Sequence, residues 1–235
     1  MKAAFRVAAA LVTTAMCSVL TCHAQQGYIS RYDVYVGFAG IDSPALGLDE
    51  KGFHAQAGLN ARRWLSIGGD HSVAAGSEIL TVNLLPAALQ TQINAAQAQF
   101  IRLGLLPSGY QLRVPTDAST HTLAFGPQLA YRLSRGTFFL RPSVGALRER
   151  AVPHAADAFQ RVIVAELAPA GYKLDWTGFY GFGGGGEVTL TRRLAVRAQM
   201  DLVYNHPFND ILAKGRWTFR YSVGPSIHFG RNIAH

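Results

Sequence analysis

Apolar and polar residues alternate one by one over the last long segment of the chain. From Trp217 every odd position is apolar or aromatic, through Phe219, Tyr221, Val223, Pro225, Ile227 and Phe229. The even positions are small, polar or charged: Thr218, Arg220, Ser222, Gly224, Ser226 and His228. Successive side chains on a strand point to opposite faces, so this run predicts one long strand with an apolar face and a wet face. Ordinary strands run about 5–6 residues. A strand of more than about 10 residues, strictly alternating and with two titratable groups on its wet face, suits a membrane-spanning barrel.

Seven further segments repeat the pattern, at 32–38, 53–60, 65–70, 122–131, 138–145, 176–190 and 194–202. The sixth is interrupted by glycines 183–186 but returns in phase at Val188 and Leu190. Eight is an even number, as single-chain bacterial barrels require. Tight turns around Arg62-Arg63, Ser134-Arg135-Gly136 and Arg192-Arg193 join three of the pairs, and longer connections near 40–51, 73–118, 149–174 and 205–215 join the others. Short turns at one rim and long loops at the other predict a periplasmic and an outer end, with both termini at the periplasmic end. Tyr32, Trp64, Tyr131, Phe138 and Phe229 then fall near the periplasmic rim, and Phe38, Trp176, Tyr204 and Trp217 near the outer rim. Amphipathic aromatic rings favour both interfaces of a bilayer. Pro127 and Pro142 sit mid-strand, where each removes a ladder hydrogen bond and predicts a bulge.

One loop departs from the strand pattern. Around residues 86–105, Leu85, Leu89, Ile93, Ala96, Phe100 and Leu103 recur at helical spacing opposite Gln90, Asn94, Gln97 and Gln99. Pro86 suits the first helical position, and Gly104 followed by Pro107-Ser108-Gly109 ends the run. The expectation is a helix within an insertion at about 78–110, lying on the barrel mouth or the outer leaflet. The predicted fold is all-β: an eight-stranded antiparallel up-and-down transmembrane β-barrel with one helical extracellular loop, spanning 25–235.

Composition agrees with this pattern. Mean hydropathy is +0.11 with only 15% charged residues, yet no run of 18 apolar residues follows the N-terminal region, so helical spans are excluded. A barrel reconciles the two, because its exterior is apolar and its lumen polar. Lys2 and Arg6, an apolar stretch over 7–20, and Cys22-His23-Ala24 before Gln25 read as a secretory signal peptide over 1–24. Its removal takes both cysteines, Cys17 and Cys22, leaving no thiol for a disulfide or a metal. It also lowers the formal charge from +8 to +6, twenty basic against fourteen acidic residues. That excess does not require nucleic acid as a partner.

The inward positions are rich in titratable groups: Asp33, His54, Asp70, Arg141, Glu187, Arg197, Asp201, Arg220 and His228. An eight-stranded barrel is only wide enough for side chains to fill it. Its charges must therefore pair, which predicts an ion-pair network plugging the lumen. The alternative is a narrow channel for ions or small solutes. For a lipid-modifying enzyme the candidates are His71 with Asp70 or His206 with Asp210, but no nucleophile motif accompanies them. His121, and His154 with Asp157, are too scattered to read as metal ligands. The glycine run lacks the following Lys-Ser/Thr of a phosphate loop and is read as allowing curvature or close packing. No cofactor, metal or catalytic residue is expected.

On these features the chain resembles the small eight-stranded outer-membrane barrels related to the OmpA barrel domain, OmpX and the opacity-type surface proteins. The resemblance implies residence in the outer membrane, contact with its lipids, and a non-enzymatic structural or surface role through the outer loops. Gly224, Ile227 and Phe229 match the glycine, hydrophobic and terminal aromatic positions of the signal read by the barrel-assembly machinery, although six residues follow Phe229. An extracellular partner would engage the loop at 73–118.

Overall fold

The computed structural model describes residues 28–233. The expected signal peptide, 1–24, lies outside the described residues. Eight strands follow one another: β1 (Ser30–Ser43), β2 (Leu48–Asn60), β3 (Leu65–Thr81), β4 (Arg113–Arg132), β5 (Gly136–Pro153), β6 (Lys173–Thr189), β7 (Leu194–Asn205) and β8 (Arg216–Asn232). Each pairs antiparallel with its neighbour in sequence, and β8 returns to β1 to close the ring. Tyr32 stands opposite Phe229 and Val34 opposite Ile227 across that seam, so no edge is left unpaired.

The period-two pattern is the reason for this geometry. Along β8, Trp217, Phe219, Tyr221, Val223, Ile227 and Phe229 are exposed on the outside, while Thr218, Arg220, Ser222 and Ser226 are buried inside. Apolar exposure of the same kind runs round the ring, for example Val36, Phe53, Ile67, Phe125, Leu140, Phe182 and Met200. At the end carrying the short turns, Tyr32 stacks on Phe229 with ring centroids 5.6 Å apart, and Trp64 and Tyr131 stand exposed. Toward the other end, Tyr204 lies between Tyr180 and Trp217 at 5.6 and 5.3 Å.

Several expectations about segment ends need correction. The connection near 40–51 is not a long loop: β1 and β2 run on to Ser43 and from Leu48, leaving a four-residue turn with Gly47 at φ +62°. The loop placed at 73–118 is shorter than expected, because β3 extends to Thr81 and β4 begins at Arg113. The connections near 149–174 and 205–215 shrink in the same way, to 154–172 and 206–215. Pro127 and Pro142 produce no bulge. Phe125 opposite Val144 and Leu129 opposite Leu140 share one register, which sets the two prolines against each other. Both missing donors then fall in a single lapse of the β4–β5 ladder.

The mouth opposite the short turns carries two helices rather than one. The first, α1 (Ala87–Arg102), begins after Pro86, which occupies the cap rather than the first helical turn, and ends before Gly104 at φ +71°. The second, α2 (Ala158–Leu167), was not evident in the sequence pattern. Its N-cap is Asp157, whose carboxylate accepts from the Gln160 amide at 2.8 Å. The apolar stripe of α1 packs on α2 and the strand ends, not on an outer leaflet. Leu85, Ile93, Leu112, Val114, Phe159 and Ile163 form one buried cluster there, with Phe100 and Phe159 rings 5.1 Å apart. Tyr110 Oη donates to Asp157 at 2.7 Å, tying the two loops together. Burial, and then this carboxylate, raise the Tyr110 phenol above its ordinary pKa. A second apolar cluster, with Leu46, Leu48, Phe208 and Leu212, lies under the cap.

Candidate functional site: the charged lumen

Inward side chains of all eight strands meet along the barrel axis, and the charged ones gather in layers. In the layer nearest the short turns, Arg197 on β7 is held by Glu187 on β6 and Asp33 on β1, at 2.8 and 3.1 Å. His228 Nε2 on β8 lies 2.8 Å from the other Glu187 oxygen. Asn60 Nδ2 donates to Asp33 at 3.2 Å, and Arg132 donates to Asn60 Oδ1 at 2.6 Å. The Arg197 guanidinium also sits 5.5 and 5.4 Å from the Tyr35 and Phe139 ring centres.

Asp70 on β3 organises the middle layer. It accepts from Arg141 on β5 at 2.5 Å and from Arg220 on β8 at 2.9 Å, and His54 Nε2 lies 3.5 Å away. Asp201 on β7 stands 3.5 Å from Arg141. These residues come from five different strands, and the Asp70–Arg141, Asp201–Arg141 and Asp70–Arg220 pairs tie together strands two or three places apart around the ring. His54 is held by Gln199 Nε2 and Ser222 Oγ at 3.1 and 3.2 Å from Nδ1. Glycines make room for this layer. A Cβ on Gly183 would lie 1.8 Å from Asp201 Oδ1, and one on Gly185 2.3 Å from the Ala198 carbonyl oxygen.

A third layer, toward the capped mouth, contains three carboxylates, Glu50, Glu78 and Glu149, that the sequence pattern left in loops. Arg216 on β8 pairs with Glu149 on β5, and Glu78 on β3 approaches it at 4.0 Å. Glu50 on β2 accepts from Thr120 on β4 at 2.9 Å. Strand pairing continues here, but on β3 and β4 the outward residues are largely small or polar, so the alternation that betrays the strands below is missing. The signal that was available is the alternation of small inward residues such as Ser72, Ala74 and Gly76 with the outward positions between them.

Thus the structure brings all nine inward candidates together: Asp33, His54, Asp70, Arg141, Glu187, Arg197, Asp201 and Arg220 are buried, and His228 is half-buried. The hydrolytic candidates are not assembled. His71 points outward, its ring 6.2 Å from that of His121, whereas Asp70 points inward. His206 bonds the Leu212 carbonyl, and Asp210 pairs with Lys173. His154 pairs with Asp117 at 2.8 Å while Asp157 caps α2. Among the described residues no group of three or more His, Cys, Asp or Glu is arranged to hold a metal ion. Gly224, Ile227 and Phe229 lie on β8, where a Cβ on Gly224 would meet the Val36 carbonyl oxygen at 2.2 Å.

No protein-family model matches the sequence, and no curated protein does. Solved structures do resemble it. Neisserial surface protein A aligns over 84% of this chain and 96% of its own, with a TM-score of 0.51 at 11% identity. The attachment invasion locus protein of Yersinia pestis, in its complex with the heparin analogue sucrose octasulfate, aligns over 84% of this chain and 97% of its own, with a TM-score of 0.47 at 11% identity. With eight antiparallel strands closed in sequence order, the chain has the fold of the small eight-stranded outer-membrane β-barrels.

Proposed function

We propose that this is a non-enzymatic barrel of the bacterial outer membrane, closed along its lumen, which displays a two-helix cap at the cell surface. The observation that carries the reading is the buried cross-bracing of the lumen. Arg197 and Asp70 each reach partners on several strands, and their side chains are 3% and 1% exposed. A barrel this narrow has little room left once such pairs span it. The exposed apolar exterior supports the membrane assignment, because a contiguous apolar belt of this extent is costly in water. β3 and β4, at 17 and 20 residues, exceed the roughly 10 that a tilted spanning strand needs. At about 3.3 Å per residue and a tilt near 45°, the surplus lifts the mouth and its cap roughly 16–23 Å clear of the bilayer. That elevation is what makes the loops at 82–112 and 154–172 the surface available to an extracellular partner.

Planar-bilayer recording of the purified barrel tests the closed lumen. The expected result is no stable conductance step. Reproducible steps that change on Arg141→Gln or Arg220→Gln would overturn the reading in favour of a channel. A peptide tag inserted after Pro107 should be accessible on intact cells, and a tag reached only after the outer membrane is broken would invert the orientation. Export by a peptide over 1–24 predicts a mature N-terminus at Gln25. The barrel-assembly machinery would read Gly224, Ile227 and Phe229 during biogenesis.

A further inference from the structure

The positive excess of the described residues lies at one end of the barrel. The described residues contain twenty basic and fourteen acidic side chains. The lumen layers at Arg197 and Asp70 hold four carboxylates and three arginines, with Arg132 counted at the turn it flanks, and the capped end holds ten acidic and nine basic residues, so each is one unit negative. The short-turn end holds eight basic residues and no Asp or Glu. Arg62 and Arg63 sit in the β2–β3 turn, Arg132 and Arg135 flank the β4–β5 turn, Arg192 and Arg193 sit in the β6–β7 turn, and Arg31 and Arg231 stand where β1 meets β8. All eight are arginine, whereas Lys51, Lys173 and Lys214 all lie at the capped end. A planar guanidinium fork matches the two oxygens of a phosphate better than an ammonium does.

Four of these arginines converge. Arg31, Arg62, Arg63 and Arg231 line one open concavity with Trp64 and Asn232. Its walls are rigid: the Ala61 and Arg62 amides both donate to the Leu65 carbonyl, at 3.0 and 2.9 Å, and Asn232 Oδ1 accepts from the Ile29 amide at 2.8 Å. Trp64 is 53% exposed and marks the level at which the apolar exterior gives way to the turns. Just beyond an interfacial tryptophan is the depth of lipid headgroups. We propose that this notch binds the phosphate of an anionic phospholipid in the periplasmic leaflet, with the acyl chains descending along the exterior beside Trp64. The proposal rests on the outer-membrane reading above. It makes Arg135, Arg192 and Arg193, the other arginines of the short turns, a headgroup collar that sets the depth and tilt of the barrel.

Native mass spectrometry of the folded barrel in neutral detergent, titrated with phosphatidylglycerol or phosphatidylcholine, tests the notch. Wild type should retain phosphatidylglycerol at a concentration on the order of a hundredfold lower than phosphatidylcholine, from about three guanidiniums at a headgroup. Arg31→Gln/Arg62→Gln/Arg231→Gln should abolish that preference, whereas Arg148→Gln/Arg150→Gln at the capped end should keep it. Raising salt should also erode the wild-type preference, a readout that needs no variant. Equal retention of the two lipids by wild type, or an undiminished preference in the triple variant, overturns the proposal. Displacement of the lipid by inorganic phosphate at matched concentration would make the notch a soluble-anion site and overturn it as well. Insertion of wild type into phosphatidylcholine vesicles, read by protease protection, separates the two claims. A barrel that stays outside sinks both, and one that inserts without lipid preference sinks only the headgroup site.

Discussion

Replacing Asp70 with asparagine removes one charge from the middle of the lumen and leaves its shape unchanged. Asp70 is the shared acceptor of Arg141 at 2.5 Å and Arg220 at 2.9 Å, with side chains 1, 3 and 6% exposed. At an effective dielectric near 20, each contact represents roughly 6 kcal/mol of attraction before desolvation is counted. The substitution keeps the desolvation cost of both guanidiniums and removes most of the compensation, leaving Asp201, 3.5 Å from Arg141, as the neighbouring carboxylate. Breaking one buried pair costs about 3–5 kcal/mol, and Asp70 serves two, so the upper end, about 5 kcal/mol, is expected. Urea unfolding in lipid vesicles, followed by tryptophan fluorescence and by the gel shift between folded and boiled protein, measures this. The midpoint should fall with an unchanged slope. Replacing the whole cluster (Asp70→Leu/Arg141→Met/Arg220→Met, with Asp201→Asn because Asp201 would otherwise lose its partners) removes the stranded charges together and should recover most of the loss. A cost below about 1 kcal/mol for Asp70→Asn, or a four-residue variant no better than the single one, would refute the cross-bracing argument.

Other outcomes follow from the same geometry. Gly185→Ala places a Cβ 2.3 Å from the Ala198 carbonyl oxygen, so the β6–β7 pair must spread, and unfolding in urea should show a loss of about 1–3 kcal/mol. Asp157→Ala removes both the α2 cap and the Tyr110 hydrogen bond, a loss of about 1–2 kcal/mol confined to the cap. Limited proteolysis should then cut the loop at 82–112 faster while the barrel's unfolding midpoint stays put. Phe229→Ala removes the stacking partner of Tyr32 at the closing seam, and pulse-chase assembly in cells should slow, whereas Phe219→Ala on the same strand should assemble at the wild-type rate. Raising salt should leave the lumen pairs, and hence the urea midpoint, nearly unchanged, because buried pairs are screened far less than exposed ones.

The order and number of strands, the faces they present and the closing of β8 on β1 were legible in the sequence by itself. Burial against an apolar exterior forces one side chain in two to be apolar, and that requirement writes period two into the chain. The inward position of the nine titratable residues was legible for the same reason, since facing follows from phase. Where the exterior meets water the requirement lapses. His71, Ala75 and Ser77 can then stand outward on β3, and Asp117, Ser119 and His121 on β4, without the strands ending. The upper strand ends, the tight first turn and the third charge layer at Glu50, Glu78, Glu149 and Arg216 were therefore visible only in the structure. So was α2, whose ten residues are too few for helical spacing to stand out between two strands. The sequence named the charges; which of them met was decided by the stagger of the closed ring, which sets Asp70 beside Arg141 and Arg220 from strands 71 and 150 residues away. The arginines of the short turns show the same division. Each is a local turn residue in sequence, and only closure gathers them at one rim.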